Sequence, residues 1–199
     1  MRKCSKPEKY IYLIMNKPCG YVCSAASDSH KTAYELLTPE LQEPVSNAPR
    51  GCRLHTVGRL DCDTSGLLLL TNDGKFSHRI TANEDVTKTY RATLSSPVDL
   101  EEQKAYLSLA AAGLKLPPEK KYGEQLALPA TLEFEASSIC KITVHEGKFH
   151  EVRRIFRALG NEVAALERIA IGKLTLPEDL KSGQWRALTD AEKELLMLF

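Results

Sequence analysis

The chain has 199 residues and a net charge of +1, with 43% hydrophobic and 27% charged residues, which is ordinary for a globular protein. No apolar run approaches the ~20 residues that span a bilayer, which excludes a membrane-spanning helix. The basic start lacks an apolar stretch of signal-peptide length, so in a bacterium we expect the chain to stay in the cytoplasm.

The predicted elements of the first part of the chain are strands, turns and short helices. In chain order they are a strand at 10–15 ended by a turn at 16–20, a weak helical pattern at 32–41, a loop at 42–53, an apolar strand at 67–71, and a short helix at 76–80.

The later elements follow without regular βαβ alternation, which predicts an α+β fold. They are an alternating strand at 88–94, a helix at 100–112, a strand at 139–145, and a helix at 150–159 that Gly160 ends. In the last helix, Val152, Ile155, Phe156 and Leu159 have the spacing of one buried stripe.

The cysteines and histidines point to no metal and no disulfide framework. Six cysteines, at positions 4, 19, 23, 52, 62 and 140, form no Cys-x-x-Cys pair and suit no zinc site. His145 and His150 straddle Gly147, which is poor spacing for a shared metal ion. We therefore expect thiols without metal or disulfide, since nothing marks the chain as secreted.

Charge is distributed unevenly along the chain. Residues 1–31 and 141–173 are rich in Lys and Arg, whereas residues 95–135 are acidic. Such segregation can give a nearly neutral protein a basic face for nucleic acid. On charge alone, a solvated surface is the simpler interpretation.

A polar loop that carries Asp61 and Asp63 leads directly into the apolar strand at 67–71. Its composition is typical of a structural turn. Residues 63–66 also match the Asp-Thr-Ser-Gly pattern of aspartic proteases, but the protease loop should follow the end of an apolar strand, and one copy would require a dimer. A third interpretation depends on the rest of the chain.

Five separated motifs cover nearly all of the sequence. They are Asn16-Lys17-Pro18-x-Gly20-Tyr21-Val22, Gly-Arg-Leu-Asp-x-Asp-Thr-Ser-Gly-Leu-Leu-Leu-Leu-Thr-Asn-Asp-Gly at 58–74, Lys88-Thr89-Tyr90, Glu-Gly-Lys-Phe-His-Glu-Val-Arg-Arg at 146–154, and Ile171-Gly172 followed by Leu180, Gly183, Arg186, Leu188 and Thr189. In order and spacing this set resembles the rRNA pseudouridine synthases of the RsuA/RluB/RluE/RluF type. Residues 16–24 and 77–81 look most like the small-subunit (16S) enzyme.

The resemblance implies a role for each of four residues. Asp61 aligns with the essential catalytic aspartate, Tyr90 with the tyrosine that packs on the target base, and Arg153 with the cation that pairs with the aspartate. Arg59 would enter the base stack as the nucleotide leaves it. From periodicity alone, Tyr90 could equally be a core aromatic and Arg153 a surface charge.

Further basic residues are candidates for binding the substrate through its phosphates. They are Lys17, Arg79, Lys148, Arg154, Arg157 and Arg168. Arg154 is placed nearly opposite Arg153 on the helix, so we expect it to face solvent or phosphate. The default interpretation of each is a solvated charge.

The implied chemistry breaks the N1–C1′ bond of uridine, turns the uracil and forms a C5–C1′ bond. It needs no redox partner, so we expect no cofactor. The carboxylate can attack C1′, stabilise a cationic sugar or remove the C2′ proton, and the residues do not choose among these.

The implied fold is a mixed, mostly antiparallel central sheet with flanking helices and an active-site cleft between two lobes. We expect residues 1–199 to form a single catalytic domain without the N-terminal S4 domain that many relatives carry. The expected partner of this monomer is ribosomal RNA, 16S first and 23S second, free or within an assembling particle, and no membrane. The alternative function is a non-catalytic rRNA-binding or ribosome-assembly factor on the same fold.

Overall fold

The computed structural model describes residues 9–49 and 51–198, which form two compact units. The first unit contains the described residues up to Val86 together with those from Lys173 onward, and the second contains Thr87–Gly172. Cys4 and the basic start lie outside the described residues. Within these bounds, no helix is long and apolar enough to cross a membrane.

The first unit begins with the strands that carry the first two motifs. Its elements up to Val86 are β1 Tyr12–Lys17, β2 Tyr21–Val22, β3 Lys31–Thr32, a 3-10 helix Ala33–Leu36, α1 Pro39–Ser46, β4 His55–Val57, β5 Thr64–Thr71 and α2 Gly74–Thr81.

Strand β5 pairs antiparallel with both β1 and β4. Its leucines, Leu67 to Leu70, are at most 1% exposed, so both faces of the strand are covered. Burial on both faces explains a continuous apolar run in place of alternation. The predicted strand at 67–71 is confirmed and begins earlier, at Thr64.

Helix α2 follows β5 because Asp73 caps it. The Asp73 Oδ1 accepts from the backbone N–H groups of Lys75 and Phe76 at 3.0 and 3.2 Å, which satisfies two donors of the first turn. Phe76 and Ile80 are buried, so the helix presents one apolar face to its unit. The helix predicted at 76–80 is confirmed.

The second unit carries the third and fourth motifs. Its elements are β6 Lys88–Leu94, α3 Leu100–Ala112, β7 Lys115–Leu116, β8 Gln125–Leu126, β9 Thr131–Ala136, β10 Ile139–Val144, α4 Glu151–Ala158 and β11 Val163–Ile171. Strands β11, β6, β10 and β9 lie side by side in that order, and each adjacent pair is antiparallel.

Helix α4 packs its apolar stripe into the core of this unit. The four predicted stripe residues, from Val152 to Leu159, all belong to the buried cluster that also holds Ala92 and Ile142. Gly160 has φ +86°, the left-handed conformation that ends a helix. The predicted helix and its end are therefore confirmed.

The chain then returns to the first unit with β12 Leu174–Thr175, β13 Trp185–Ala187 and α5 Asp190–Leu195. Strand β13 pairs with β1, and the loop before it holds Asn16 on both sides. Gly183 N–H donates to the Asn16 carbonyl oxygen at 2.8 Å, and the Asn16 amide donates to the Leu180 carbonyl oxygen at 2.9 Å. The C-terminal motif thus fixes the end of β1.

The structure differs from the sequence prediction in several places, and β4, β9, β13 and α5 have no predicted counterpart. The predicted loop at 42–53 is wrong in its first half, because α1 continues to Ser46 with Pro44 inside it. Strand β11 was not predicted, since Glu167 and Arg168 interrupt its apolar pattern at the centre. Strands and helices are interspersed in both units, as the α+β prediction required.

Candidate active site

Asp61 lies in the loop between β4 and β5, and short contacts hold this loop on both sides. Before it, Leu60 is buried and its N–H donates to the Cys23 Sγ at 3.3 Å. After it, the Thr64 N–H donates to the Asp61 carbonyl oxygen at 3.1 Å and closes a turn. Asp61 is half-buried, whereas Asp63 is exposed at the same turn. The loop can therefore hold one carboxylate in a defined position at the start of a rigid strand.

The turn after β1 supports the same loop. Its Gly20 N–H donates to the Cys62 carbonyl oxygen at 2.7 Å, which ties the turn to the residue that follows Asp61. Gly20 has φ +87°, so this approach uses a backbone conformation that favours glycine.

Lys17 lies beneath this turn and is 0% exposed. Its Nζ donates to the carbonyl oxygens of Pro18 and Tyr21 at 2.9 and 2.7 Å. Burial lowers the pKa of Lys17 below its usual value. A smaller opposing influence comes from Cys23, Cys19, Cys62 and Asp61. The prediction that Lys17 contacts phosphate is wrong, because its turn folds over the ammonium and supplies its acceptors.

Arg59 and Arg79 are the two predicted RNA contacts of the first unit that are exposed. Arg59 lies two residues before Asp61, and Arg79 is on the solvent side of α2. Both remain predictions.

Tyr90 is at the middle of β6, where its backbone is opposite Ile142 on one side and Arg168 on the other. The ring is half-buried and packs against the core of the second unit. One part of the ring is therefore held by the core while another reaches solvent. Arg168, a further phosphate candidate, is 4% exposed, so that prediction is wrong.

Arg153 and Arg154 are adjacent on α4 but have different surroundings. Arg153 is half-buried, and its Nη1 donates to the Val163 carbonyl oxygen at 2.9 Å. Arg154 is 0% exposed, and its guanidinium donates to the carbonyl oxygens of Pro117 and Gly123, both at 2.9 Å.

Arg154 also donates to the Gln125 side-chain oxygen at 2.7 Å. The prediction that it faces solvent or phosphate is therefore wrong. The segment around β7 and β8 covers this side of α4 and supplies acceptors in a fork that suits a guanidinium.

Lys148 and Arg157 are paired with carboxylates of the second unit. Lys148 pairs with Glu146, and Arg157 contacts Glu119 and Glu162, each at 3.2 Å. The hydrogen bond that Arg157 donates to Glu162 raises the pKa of Arg157. That these two residues contact RNA remains a prediction. Their carboxylate partners partly neutralise their charge.

Sequence reasoning missed an aromatic and basic group that residues 119–122 of the acidic stretch form with Phe149 and His150. Phe149 stacks between Tyr122 and His150, with ring centroids 4.5 and 3.8 Å away. Lys120 lies 5.4 Å from the Phe149 ring centroid, and Glu119 accepts from the His150 ring at 2.6 Å. The adjacent Lys-Lys-Tyr sequence at 120–122 was the available signal, and the acidic average of the region concealed it.

The predicted site residues therefore fall in both units. Asp61, Arg59, Lys17 and Arg79 belong to the first unit. Those of the second unit are Tyr90, Lys148, Arg153, Arg154 and Arg157.

Comparison with known proteins gives one consistent family. The family model described as RNA pseudouridylate synthase matches residues 11–158. Ribosomal small subunit pseudouridine synthase A of Salmonella typhimurium is 42% identical over 182 residues, which cover 91% of this chain and 71% of that protein. The protein of the same name from Escherichia coli K12 is 43% identical over 184 residues, with the same two coverages.

A solved structure gives the same result. The crystal structure of a pseudouridylate synthase has a TM-score of 0.81 and 40% sequence identity, and the match covers 95% of this chain and 74% of that one.

Proposed function

Because the chain belongs to the RNA pseudouridylate synthase family, we propose that it isomerises one specific uridine of ribosomal RNA to pseudouridine. The family, its fold and its isomerase class confirm what the sequence motifs predicted. The choice of RNA is based on the 42–43% identity to ribosomal small subunit pseudouridine synthase A over 91% of the chain. Small-subunit rRNA is accordingly the first choice and large-subunit rRNA the second.

We propose Asp61 as the catalytic carboxylate of this reaction. A carboxylate at this position could attack C1′, stabilise a cationic sugar or remove the C2′ proton. Its half-buried position and the contacts that hold its loop support this role. The exposed Asp63 lacks the same degree of enclosure.

We propose that Tyr90 and Arg153 complete the catalytic set. Arg59 is proposed to enter the base stack of the RNA as the target nucleotide leaves it. A partly exposed tyrosine ring suits a flipped pyrimidine, which enzymes commonly hold by stacking. Arginine supplies a permanent charge with several donors, and the Nη1 of Arg153 donates to the Val163 carbonyl oxygen.

We extend the proposal to a single catalytic domain that acts as a monomer in the bacterial cytoplasm. With a net charge of +1, the chain has little overall attraction for RNA. This favours a substrate with preformed structure, such as folded rRNA or an assembling particle.

The test is a pseudouridine map of rRNA after incubation with wild-type protein, Asp61→Asn and Asp63→Asn. Transcribed 16S and 23S rRNA and undermodified small-subunit particles serve as separate substrates. We expect the wild type to convert one uridine of the small-subunit RNA. Asp61→Asn should convert none while it melts at the wild-type temperature, and Asp63→Asn should retain activity.

Other outcomes would reject parts of the proposal. A wild-type protein that binds rRNA and leaves every uridine unchanged would be the non-catalytic assembly factor. Conversion of uridine by the Asp61→Asn variant would show that another residue supplies the catalytic carboxylate. Modification of 23S alone would keep the enzyme and change its target.

The roles of Tyr90 and Arg153 need separate measurements. Tyr90→Phe keeps the stacking ring and should retain most activity, whereas Tyr90→Leu should lose it. Arg153→Lys keeps a charge but not the fork, and should lower kcat by about 10²-fold if its donors serve the transition state. Equal activity of Tyr90→Leu and Tyr90→Phe would remove the ring from the mechanism.

A further inference from the structure

The first unit contains a hollow of about 400 Å³ between α2 and α5, which we call the α2–α5 hollow. Tyr12, Phe76 and Met197 contribute apolar and aromatic surface to it, and Lys75, Arg79 and Lys193 contribute cations. Its volume is within the range of small-ligand sites, about 300–1,000 Å³. None of the proposed catalytic residues lines it.

The cations line the hollow from two helices, α2 and α5. Lys75 and Arg79 are exposed and four residues apart on α2, so they share one face of that helix. Lys193 of α5 lies 5.4 Å from the centre of the Tyr12 ring and 2.5 Å from the exposed carboxylate of Asp190. Three cations therefore line one small volume, and one of them, Lys193, is paired with Asp190.

Asp73 is the one carboxylate among the described residues that line the hollow, and its oxygens are occupied. Oδ1 accepts from the backbone of Lys75 and Phe76, and Oδ2 accepts from the Tyr12 hydroxyl at 2.9 Å. Burial and Asp73 raise the pKa of Tyr12 to about 12, so the hydroxyl keeps its proton as a donor. The three cations that line the hollow therefore outnumber its one lining carboxylate.

The inner surface combines aromatic and flexible apolar groups. Tyr12 and Phe76 meet edge to face with centroids 4.9 Å apart, and Met197 is half-buried beside them. Cations around aromatic surface are what sequence-tolerant sites for single-stranded nucleic acid provide, because phosphates need charge and every base has a π-face.

Helix α2 connects the hollow to the loop of Asp61. A Cβ at Gly58 would lie 3.7 Å from the Thr81 Cγ2, so the last turn of α2 adjoins the start of that loop. Arg79 is two residues before Thr81, and Arg59 follows Gly58. An α-helix of eight residues is about 12 Å long, so the hollow that Arg79 and Lys75 line and the loop of Asp61 adjoin the same short helix.

We propose that the α2–α5 hollow binds a nucleotide of the RNA strand that flanks the target uridine. The phosphate contacts Lys75, Arg79 and Lys193, and the base lies against Tyr12 and Met197. This inference rests on the proposed function for the identity of the RNA as substrate. It adds a second contact, outside the loop of Asp61, that fixes which uridine reaches the carboxylate.

The test compares a Lys75→Gln/Arg79→Gln/Lys193→Gln variant with a control that removes equal charge elsewhere, Lys104→Gln/Lys115→Gln/Lys181→Gln. Two RNAs are used, a long rRNA fragment with the target uridine and a fragment trimmed to its immediate neighbours. For the hollow variant we expect KM on the long fragment to rise by about 10-fold or more, and by less on the trimmed one. The slope of log affinity against log salt should fall by about 2–3.

A second measurement locates the contact. RNA that carries photoreactive 4-thiouridine next to the target should cross-link to peptides containing Tyr12 or Met197 in the wild type. Adenosine monophosphate and inorganic phosphate are titrated as free ligands. Binding of either in the hollow, with KM for RNA unchanged in the variant, would make it a small-molecule site and overturn the proposal.

Equal KM values for the hollow variant and the charge-matched control would also overturn it. Failure of the proposed function gives a different result, because the wild type would then convert neither fragment. In that case the binding slope and the cross-link still decide whether RNA occupies the hollow.

Discussion

The Lys17 ammonium, which is fully buried, donates to the Tyr21 carbonyl oxygen at 2.7 Å. This bond closes the turn after β1 around the lysine. The same turn contacts Cys62 through the Gly20 N–H, and Cys62 follows Asp61 in the chain. Lys17 therefore supports the candidate catalytic loop from below and is not placed to meet RNA.

Replacement of Lys17 by Met should destabilise the protein and lower its activity. Two carbonyl oxygens lose a charged donor, which costs about 1–3 kcal/mol in the free energy of unfolding. Urea denaturation measures this loss, and Lys31→Met, at an exposed lysine, is the control. The salt dependence of RNA binding should not change. A lower salt slope at unchanged stability would restore Lys17 as a phosphate contact.

Replacement of Arg154 by Met should be more damaging, because its guanidinium joins α4 to the segment around β7 and β8. We expect a loss of about 3 kcal/mol or more, since several buried acceptors lose their donors together. Arg154→Lys should rescue little, because an ammonium cannot reproduce the fork.

The control for Arg154 is Arg157→Gln, at an exposed ion pair that contributes about 0–1 kcal/mol. Limited proteolysis should show earlier cleavage at 117–124 in Arg154→Met than in the control. Full stability of Arg154→Met combined with weaker RNA binding would contradict the structural role.

Elements with a clear local pattern could be predicted from the sequence. The strand at Lys88–Leu94 and the helix at Leu100–Ala112 have the bounds that their sequence patterns indicated. The stripe of α4 was also predictable, because its apolar spacing is a property of the helix alone.

Features that depend on distant segments could not be predicted. Arg154 lies away from the apolar stripe, so helical geometry places it toward solvent unless another segment covers that face. The covering segment is a proline-containing stretch without periodicity, and its carbonyl oxygens give no sequence signal. Lys17 is similar, since its burial follows from how the turn folds back and not from the strand before it.

For the candidate site, the motifs distinguished Asp61 from Asp63, which local composition did not. The structure adds that Asp61 is the more enclosed of the two. Its catalytic role stays a prediction.

Gly113 ends α3 with φ +83°, and replacement by Ala should destabilise the second unit. A Cβ there would lie 2.9 Å from the Ala127 carbonyl oxygen, which belongs to the backbone and cannot move aside cheaply. We expect a loss of about 1–3 kcal/mol from the backbone conformation, with more from the contact. Gly123→Ala, where a Cβ meets nothing within 4 Å, is the matched control for thermal denaturation. Equal melting of the two variants would contradict this.

Glu151, at the start of α4, is 5% exposed and shares its surroundings with a second carboxyl group, Glu146. Burial, followed by the hydrogen bond and charge of Glu146, raises the pKa of Glu151 to about 8. Its carboxyl group also accepts from the Lys148 N–H at 3.2 Å. The positive charge of Lys148 lowers the pKa of Glu151 and so opposes this shift. Glu151 in turn raises the pKa of Lys88, which burial lowers.

The raised pKa predicts that stability falls as pH rises from about 5 to 8. In the unfolded chain Glu151 ionises near pH 4.5, whereas in the folded protein it stays protonated until about pH 8. The folded state therefore binds the extra proton throughout this window, and the free energy of unfolding decreases by up to about 1.4 kcal/mol per pH unit.

Glu151→Gln, which keeps the shape and stays neutral, should remove this slope and be the more stable protein at pH 8.5. Glu135→Gln is the control, because Lys141 and Arg91 hold the pKa of Glu135 below its usual range and it is charged in both states across this window. Urea denaturation at half-unit steps of pH measures the slopes, and parallel curves for wild type and Glu151→Gln would show that Glu151 is ionised in the folded protein.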